Sequence, residues 1–120
     1  MRNRGEDLSE RLLEFSANAV KLVAKLNRWT AGRHIANQLV RASTSCGANY
    51  EEARAAESQA DFVHKMQIVL KELRESYYWL KLLERVSGSQ DAALARLLKE
   101  SDELTRIFAK SVLTAKAHVR

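Results

Sequence analysis

Two pairs of glutamates have the spacing that could bind a divalent cation. Glu72-x-x-Glu75 and Glu100-x-x-Glu103 fall on successive predicted helices, and Mg²⁺ is bound by several oxygen ligands at once. On each helix, however, the first glutamate only flanks the apolar stripe and the second points away from it. We therefore expect surface residues, with Glu75 pairing with Lys71. A magnesium-dependent helical nucleotide pyrophosphohydrolase remains a lesser alternative.

Other residues capable of catalysis or metal binding are scattered along the chain. A di-iron bundle needs Glu-x-x-His on two helices, and the nearest match is a single Asp61-x-x-His64. His34 and His118 lie far from it in the sequence, which argues against a zinc site. The lone Cys46 cannot form a disulfide within the chain, and it sits on the apolar face of its helix. We expect a buried core thiol, a reduced cytoplasmic setting, and neither enzymatic activity, metal nor cofactor.

The positive charge of the chain is segregated. The formal net charge is +5, yet residues 15–50 and 104–120 contain no acid, whereas residues 51–103 contain eleven acids and eight bases. A segregated charge favours a polyanionic partner, here RNA or DNA. The alternative is a protein–protein assembly module whose basic charge complements an acidic protein. The residues predicted to contact nucleic acid are Lys21, Lys25, Arg28, Arg33 and Arg41.

Composition and periodicity predict an all-α protein. There is no proline, glycine occurs four times, and 46% of the residues are hydrophobic. Apolar residues recur at alternating steps of four and three from Leu8 to Leu26, which is typical of bundle packing. We predict one domain over residues 1–120, an antiparallel up-down-up-down four-helix bundle with no membrane span. The helices are expected at about 6–27, 32–56, 59–86 and 90–117. Ser58 is the expected N-cap of the third helix, with Asp61 three residues later completing an arrangement like a capping box.

The second predicted helix has unusually small side chains in its middle. Residues 42–48 are all small and favour helix only weakly. Such a helix must be held by close neighbours, both within one bundle and between subunits of an oligomer. Arg41, on the far side from the apolar face, would be solvated in a single bundle. The predicted oligomer interface consists of Ser45, Gly47, Tyr78 and Trp79.

Motif order and spacing resemble one known family of bacterial proteins. The matching motifs are Gln38-Leu39-x-Arg41-Ala42-x-x-Ser45, Asn49-x-x-Glu52, Asp61-Phe62 and Leu70-Lys71-Glu72-Leu73-x-Glu75. They resemble the four-helix-bundle proteins encoded in intervening sequences of 23S ribosomal RNA genes, although Ala53 stands where family members often have glycine. The accessory variability determinant of diversity-generating retroelements is a relative of that family. The resemblance implies a homopentameric barrel around a pore, and suggests nucleic acid and a reverse transcriptase as partners.

Overall fold

The computed structural model describes residues 3–26, 30–87 and 91–119, and within them the chain forms four α-helices and no strand. The first helix ends earlier than predicted and the second begins earlier, while the third and fourth lie within two residues of their predicted bounds. The predicted all-α fold is confirmed. The helices are α1 (Arg4–Val23), α2 (Thr30–Arg54), α3 (Gln59–Ser87) and α4 (Ala92–Lys116).

Side-chain caps fix three of the helix starts. Asn3 accepts a hydrogen bond of 2.8 Å from the backbone amide three residues later, so α1 begins before its acidic first turn. The predicted capping arrangement of α3 is confirmed, because Ser58 Oγ accepts from the Asp61 amide at 3.0 Å. Asp91 caps α4 by accepting from the second amide along the chain at 2.8 Å. Each cap satisfies an amide that has no partner inside the helix.

Neighbouring helices run antiparallel and close a four-sided bundle. Ser9 bonds to Glu51 and Ser16 donates to the Ser43 carbonyl oxygen, so α2 runs back along α1. The same reversal relates α2 to α3 and α3 to α4, and α4 returns to contact α1. Among the described residues, the diagonal pairs α1–α3 and α2–α4 make no close backbone approach. Adjacent helices in sequence are therefore adjacent in space, as short connections require.

The core is built from the predicted apolar stripes. The five α1 stripe positions from Leu8 to Leu22 are buried, and Phe15 packs in the same cluster as Phe108 of α4. The side chains that are fully enclosed include Leu12, Phe15, Leu39, Cys46, Leu73, Leu80, Leu104 and Phe108.

Helix α2 packs on both sides, as its small residues predicted. A Cβ atom added to Gly47 would lie 3.7 Å from Leu12 Cβ on α1. The small hydroxyl groups of α2 donate to carbonyls one turn back, for example Ser45 Oγ to the Arg41 oxygen at 2.7 Å. These bonds satisfy polar groups on a helix that closely approaches its neighbours. None of the helices in the described ranges has an apolar stretch that could cross a bilayer.

Candidate nucleic-acid interface

The predicted basic residues of α1 and α2 share one end of the bundle. Lys21 lies in the last turn of α1, Lys25 follows its C-cap, and both are exposed. Arg33 is exposed near the start of α2, which is at the same end because the helices are antiparallel. Arg28 lies outside the described residues. Cations at a helix C-terminus are favoured by its dipole, so Lys21 and Lys25 are stable where they stand.

Helix α4 adds two cations that sequence reasoning missed. A cavity of ≈ 740 Å³ between α1 and α4 is lined by four cations, Lys21, Lys25, Arg96 and Lys99, and by three acids, Glu14, Glu100 and Glu103, with the largely buried Leu97 among its walls. We call these four cations the basic groove. Arg96 and Lys99 were overlooked because they fall in the acid-rich segment of the sequence. The antiparallel topology, which was predicted, could have revealed them, since it places the start of α4 beside the end of α1.

Two of the three glutamates that line the same cavity, Glu100 and Glu103, are held by an arginine. Arg11 of α1 donates two hydrogen bonds to Glu100 of α4, Nε to Oε2 at 3.0 Å and Nη2 to Oε1 at 2.6 Å. Its Nη2 also lies 3.9 Å from Glu103 Oε1. The hydrogen bond to Glu100 raises the pKa of Arg11 above its ordinary value. These carboxylates are thus occupied by a permanently charged guanidinium.

The cations of the basic groove have no such partners. Among the described residues, no carboxylate comes within ion-pair distance of Lys21, Lys25, Arg96 or Lys99. Lys65 of α3, by contrast, lies 3.6 Å from Glu52. The lining of the cavity therefore contains four cations without partners and three glutamates, two of which contact Arg11, so its net charge is positive and attracts anions.

Arg41 is exposed, as expected in a single bundle, but it also forms ion pairs that were not predicted. Its Nη1 lies 3.0 Å from Glu72 Oε2, and its Nη2 pairs with Glu75. These contacts link α2 to α3 near the middle of the bundle, on the side opposite the basic groove. Arg41 reaches them because its long side chain curls from the outer face of α2 toward α3. Two carboxylates offset its charge, so it adds little to a field that would attract phosphate.

The expectation that Glu72 is a surface residue is wrong, and so is the predicted pair of Glu75 with Lys71. Glu72 is 5% exposed as a residue, and both glutamates pair with Arg41 of α2. The other acid pair is held by Arg11 on a different seam. Within the described residues, no group of three or more His, Cys, Asp or Glu side chains is arranged to hold a metal ion.

The single cysteine is buried, as its position on the apolar face predicted. Cys46 is fully enclosed and donates to the Ala42 carbonyl oxygen at 3.3 Å. Burial raises the pKa of the Cys46 thiol to about 12. The thiolate needed for nucleophilic chemistry is therefore suppressed near neutral pH.

The residues predicted to form a subunit interface fall on two sides of the bundle. Gly47 approaches α1 of its own chain, and Ser45 is half-buried on α2. Tyr78 is 59% exposed on α3 and its ring meets that of Trp79 edge-on at 5.2 Å. Trp79 also meets His34 of α2 edge-on at 5.7 Å. The aromatic pair therefore forms part of the outer α2–α3 face.

Helix α1 carries an exposed apolar stripe that sequence reasoning missed. Leu13 is 64% exposed and Val20 is 46% exposed. With Ala17 and Ala24 they recur at steps of four, three and four residues on the face opposite the core. This is a second heptad pattern on the same helix, the kind that packs against another helix. It was overlooked because the inward stripe already explained the helix.

Comparison with known proteins identifies a family. The family model described as 23S rRNA-intervening sequence protein matches residues 7–110. Similar solved structures include the crystal structure of a protein with unknown function from the S23 ribosomal protein family of Bacteroides thetaiotaomicron. That protein is 32% identical, with a TM-score of 0.77, and the match covers 87% of this chain and 96% of that chain. No curated protein matches the chain. The chain belongs to the 23S rRNA-intervening sequence protein family.

Proposed function

We propose that this member of the family is a non-enzymatic protein that binds nucleic acid, RNA or DNA, through the basic end of its bundle. The observation that supports this proposal is the basic groove, where α1 and α4 bring four unpaired cations to one concave surface. Arg33 on α2 extends the proposed interface, and Arg28, outside the described residues, stays in it as a prediction from the sequence. We leave Arg41 out, because its charge is offset by Glu72 and Glu75.

The chemistry of the groove favours the phosphate backbone over the bases. Lysine ammonium groups are flexible point charges that suit phosphate oxygens, and phosphate contacts carry no direct sequence information. If each of the four groove cations contacts one phosphate, log affinity should fall against log salt with a slope of about −3.6 for duplex DNA. The corresponding slope for a single strand is about −2.8. Binding should be nearly independent of sequence.

A charge-matched pair of variants tests the location of the site. The groove variant changes Lys21, Lys25, Arg96 and Lys99 to Gln. The control variant removes the same charge from four exposed residues elsewhere, which are Lys71, Arg74, Arg106 and Lys116. Fluorescence anisotropy of labelled RNA and DNA oligonucleotides across a salt series gives the affinity and the slope for each protein.

The expected result is a flat salt dependence and at least tenfold weaker binding for the groove variant at low salt. The control and Arg41→Gln should keep the parental slope. If the groove and control variants lose the same affinity for nucleic acid, the net charge of the protein alone would explain binding. No binding by the parent protein at low salt would favour the protein–protein alternative. Magnesium-dependent hydrolysis of a nucleoside triphosphate by the parent protein would contradict the non-enzymatic proposal.

We further propose that the protein assembles head to tail. The α1 stripe of Leu13 and Val20 and the α3 patch of Tyr78 and Trp79 lie on diagonal helices, so they face in different directions. An interface between two different patches is heterologous, and it forms a ring when the rotation closes. The resemblance to the family suggests five subunits. Ser45 and Gly47, on α2 between these helices, border the proposed contact.

Complementation between two defective variants tests this arrangement. Leu13→Glu/Val20→Glu removes one patch and Tyr78→Glu removes the other, so each variant alone should be monomeric in sedimentation velocity. Mixed together they should form a heterodimer and no larger species, because one intact patch of each kind remains. If the interface were two-fold, the mixture would contain no species larger than those that each variant forms alone. A monomeric parent at micromolar concentration would refute the assembly.

A ring would repeat the basic groove around its axis and strengthen its field. Such an array could hold nucleic acid beside an enzyme that copies it, and the resemblance to the retroelement relative suggests a reverse transcriptase. The exposed Tyr78 supports the second candidate, a purely protein-binding assembly module. Co-sedimentation with and without nuclease treatment separates the two, since only direct protein contact survives digestion of the nucleic acid.

A further inference from the structure

A second cavity lies at the opposite end of the bundle from the basic groove. It has a volume of ≈ 560 Å³, within the range of small-molecule sites. Its walls come from all four helices, with Tyr50 from α2, and the apolar residues among them are Leu8 of α1, Phe62 and Met66 of α3, and Ala115 of α4. We call it the terminal pocket, because the first turn of α1 and the last turns of α4 form its mouth.

The mouth of the terminal pocket is cationic. Arg4, Lys110 and His118 line it, and no acid is among the residues around it. Within the described residues neither Arg4 nor Lys110 forms an ion pair, whereas nearby Arg54 pairs with a glutamate of its own helix at 3.5 Å. Arg4 also stands in the first turn of α1, where the helix dipole disfavours a cation. An anion at the mouth would offset that cost.

One polar group of the cavity is available to a ligand. Tyr50 lines the pocket, and its hydroxyl group forms no hydrogen bond with the described part of the chain. Burial raises the pKa of Tyr50 above its ordinary value, so the phenol stays protonated and can donate. Gly5 leaves room beside it, because a Cβ atom there would lie 3.6 Å from Tyr50 Oη.

We propose that the terminal pocket binds a small amphiphilic anion, with a carboxylate or phosphate head and an apolar body. The head lies between Arg4 and Lys110 and accepts a hydrogen bond from Tyr50. The body lies against Phe62 and Met66. Phe62 and Met66 offer no hydrogen-bonding groups for a nucleobase. Gln59 already donates to the Ala115 carbonyl oxygen at 3.3 Å, so the remaining polar lining consists of the Ser111 and Thr114 hydroxyl groups and His118. The site is separate from the basic groove.

Four probe molecules distinguish the contribution of the anionic head to binding from that of the apolar body. Octanoate and octyl phosphate carry both parts, 1-octanol carries only the body, and inorganic phosphate carries only a head. Amide chemical shifts of the isotopically labelled full chain, followed by NMR, locate and quantify binding below the micelle concentration. The expected result is saturable binding of octanoate or octyl phosphate at the terminal pocket, with octanol and phosphate at least tenfold weaker. Comparison of octanoate with octyl phosphate decides which head is preferred.

Variants of exposed residues then test the assignment without touching the core. Arg4→Gln/Lys110→Gln should weaken the binding of octanoate at least tenfold, and Thr114→Trp at the rim should block that binding. The control Lys71→Gln/Arg74→Gln removes the same charge from the exposed face of α3 and should change nothing. Octanol binding as tightly as octanoate, or unchanged octanoate affinity in Arg4→Gln/Lys110→Gln, would overturn the proposal. Tighter binding of adenosine monophosphate at these resonances would assign the pocket to nucleotides instead.

Discussion

Removing Arg41 should destabilise the protein more than removing the buried acid that it pairs with. The Glu72 side chain is 7% exposed and that of Arg41 is 47% exposed. Breaking a fully buried pair from one side costs about 3–5 kcal/mol, whereas an exposed pair contributes about 0–1 kcal/mol. This pair lies between those limits, so Arg41→Met should cost about 2 kcal/mol. For a domain of this size that corresponds to a Tm lower by about 8 °C.

The asymmetry arises because the two substitutions leave different groups behind. Arg41→Met keeps an apolar stem for packing but leaves the Glu72 carboxylate buried without its cation. Glu72→Gln removes the buried charge and leaves Arg41 with Glu75 and water, at a cost of about 1 kcal/mol. Urea unfolding at one fixed protein concentration measures both, and the double variant gives the coupling energy.

The control is a cation paired on the surface. Arg106 is 79% exposed and lies 3.2 Å from Asp102 one turn away. Arg106→Met should therefore change stability by no more than about 0.5 kcal/mol. If Arg41→Met costs no more than this control, the reasoning about the buried carboxylate is refuted. If Glu72→Gln costs more than Arg41→Met, the packing of residue 72 outweighs its charge.

Three other measurements test the packing of the bundle. Gly47→Leu should cost about 1–3 kcal/mol in urea unfolding, because a Cβ atom there already meets Leu12 at 3.7 Å, and Ser45→Leu should cost less in dilute protein. Cys46 should resist a disulfide reagent at pH 8 and react only in denaturant, since its raised pKa of about 12 leaves almost no thiolate in the folded state; prompt reaction of the native protein would contradict its burial. Asp91→Ala should lower stability by about 1 kcal/mol and Asp91→Asn by less, because asparagine can still cap α4. Equal losses of stability would mean that the charge of Asp91 contributes more than its capping hydrogen bond.

The fold was predictable because periodicity and capping are local signals. The stripe from Leu8 to Leu22 fixed the inward face of α1, and Ser58 with Asp61 marked the start of α3. The ends of α1 and α2 were less well predicted. Asn3 lies outside the predicted range of the first helix, so its role as the N-cap was not predicted. The prediction placed α1 through residue 27, although the helix ends at Val23 with a C-cap at Ala24.

The candidate site was only half predictable, since charge was counted along the sequence rather than in space. Lys21, Lys25 and Arg33 stood out in an acid-free segment. Arg96 and Lys99 did not, because they fall in a segment of the sequence that is rich in acids. The partners of Arg41 and Glu72 were missed for a related reason. Helical phase places each residue on a face, but a long side chain can cross to the next helix, and phase alone does not show this.

The α2–α3 side and the α1–α4 side of the bundle differ in how far their charges are paired between helices. Where α2 meets α3, Arg41 joins two glutamates and Lys65 meets Glu52, so charges there are neutralised within the chain. Where α1 meets α4, the Arg11–Glu100 pair holds only the middle of the seam, with the basic groove at one end and the terminal pocket at the other. In the described part of the chain, both cavities bring cations without carboxylate partners to a concave surface that has apolar walls, which the unpaired cations on the exposed face of α3 do not have. We therefore infer that the seam between the first and last helices is where this protein meets its anionic partners.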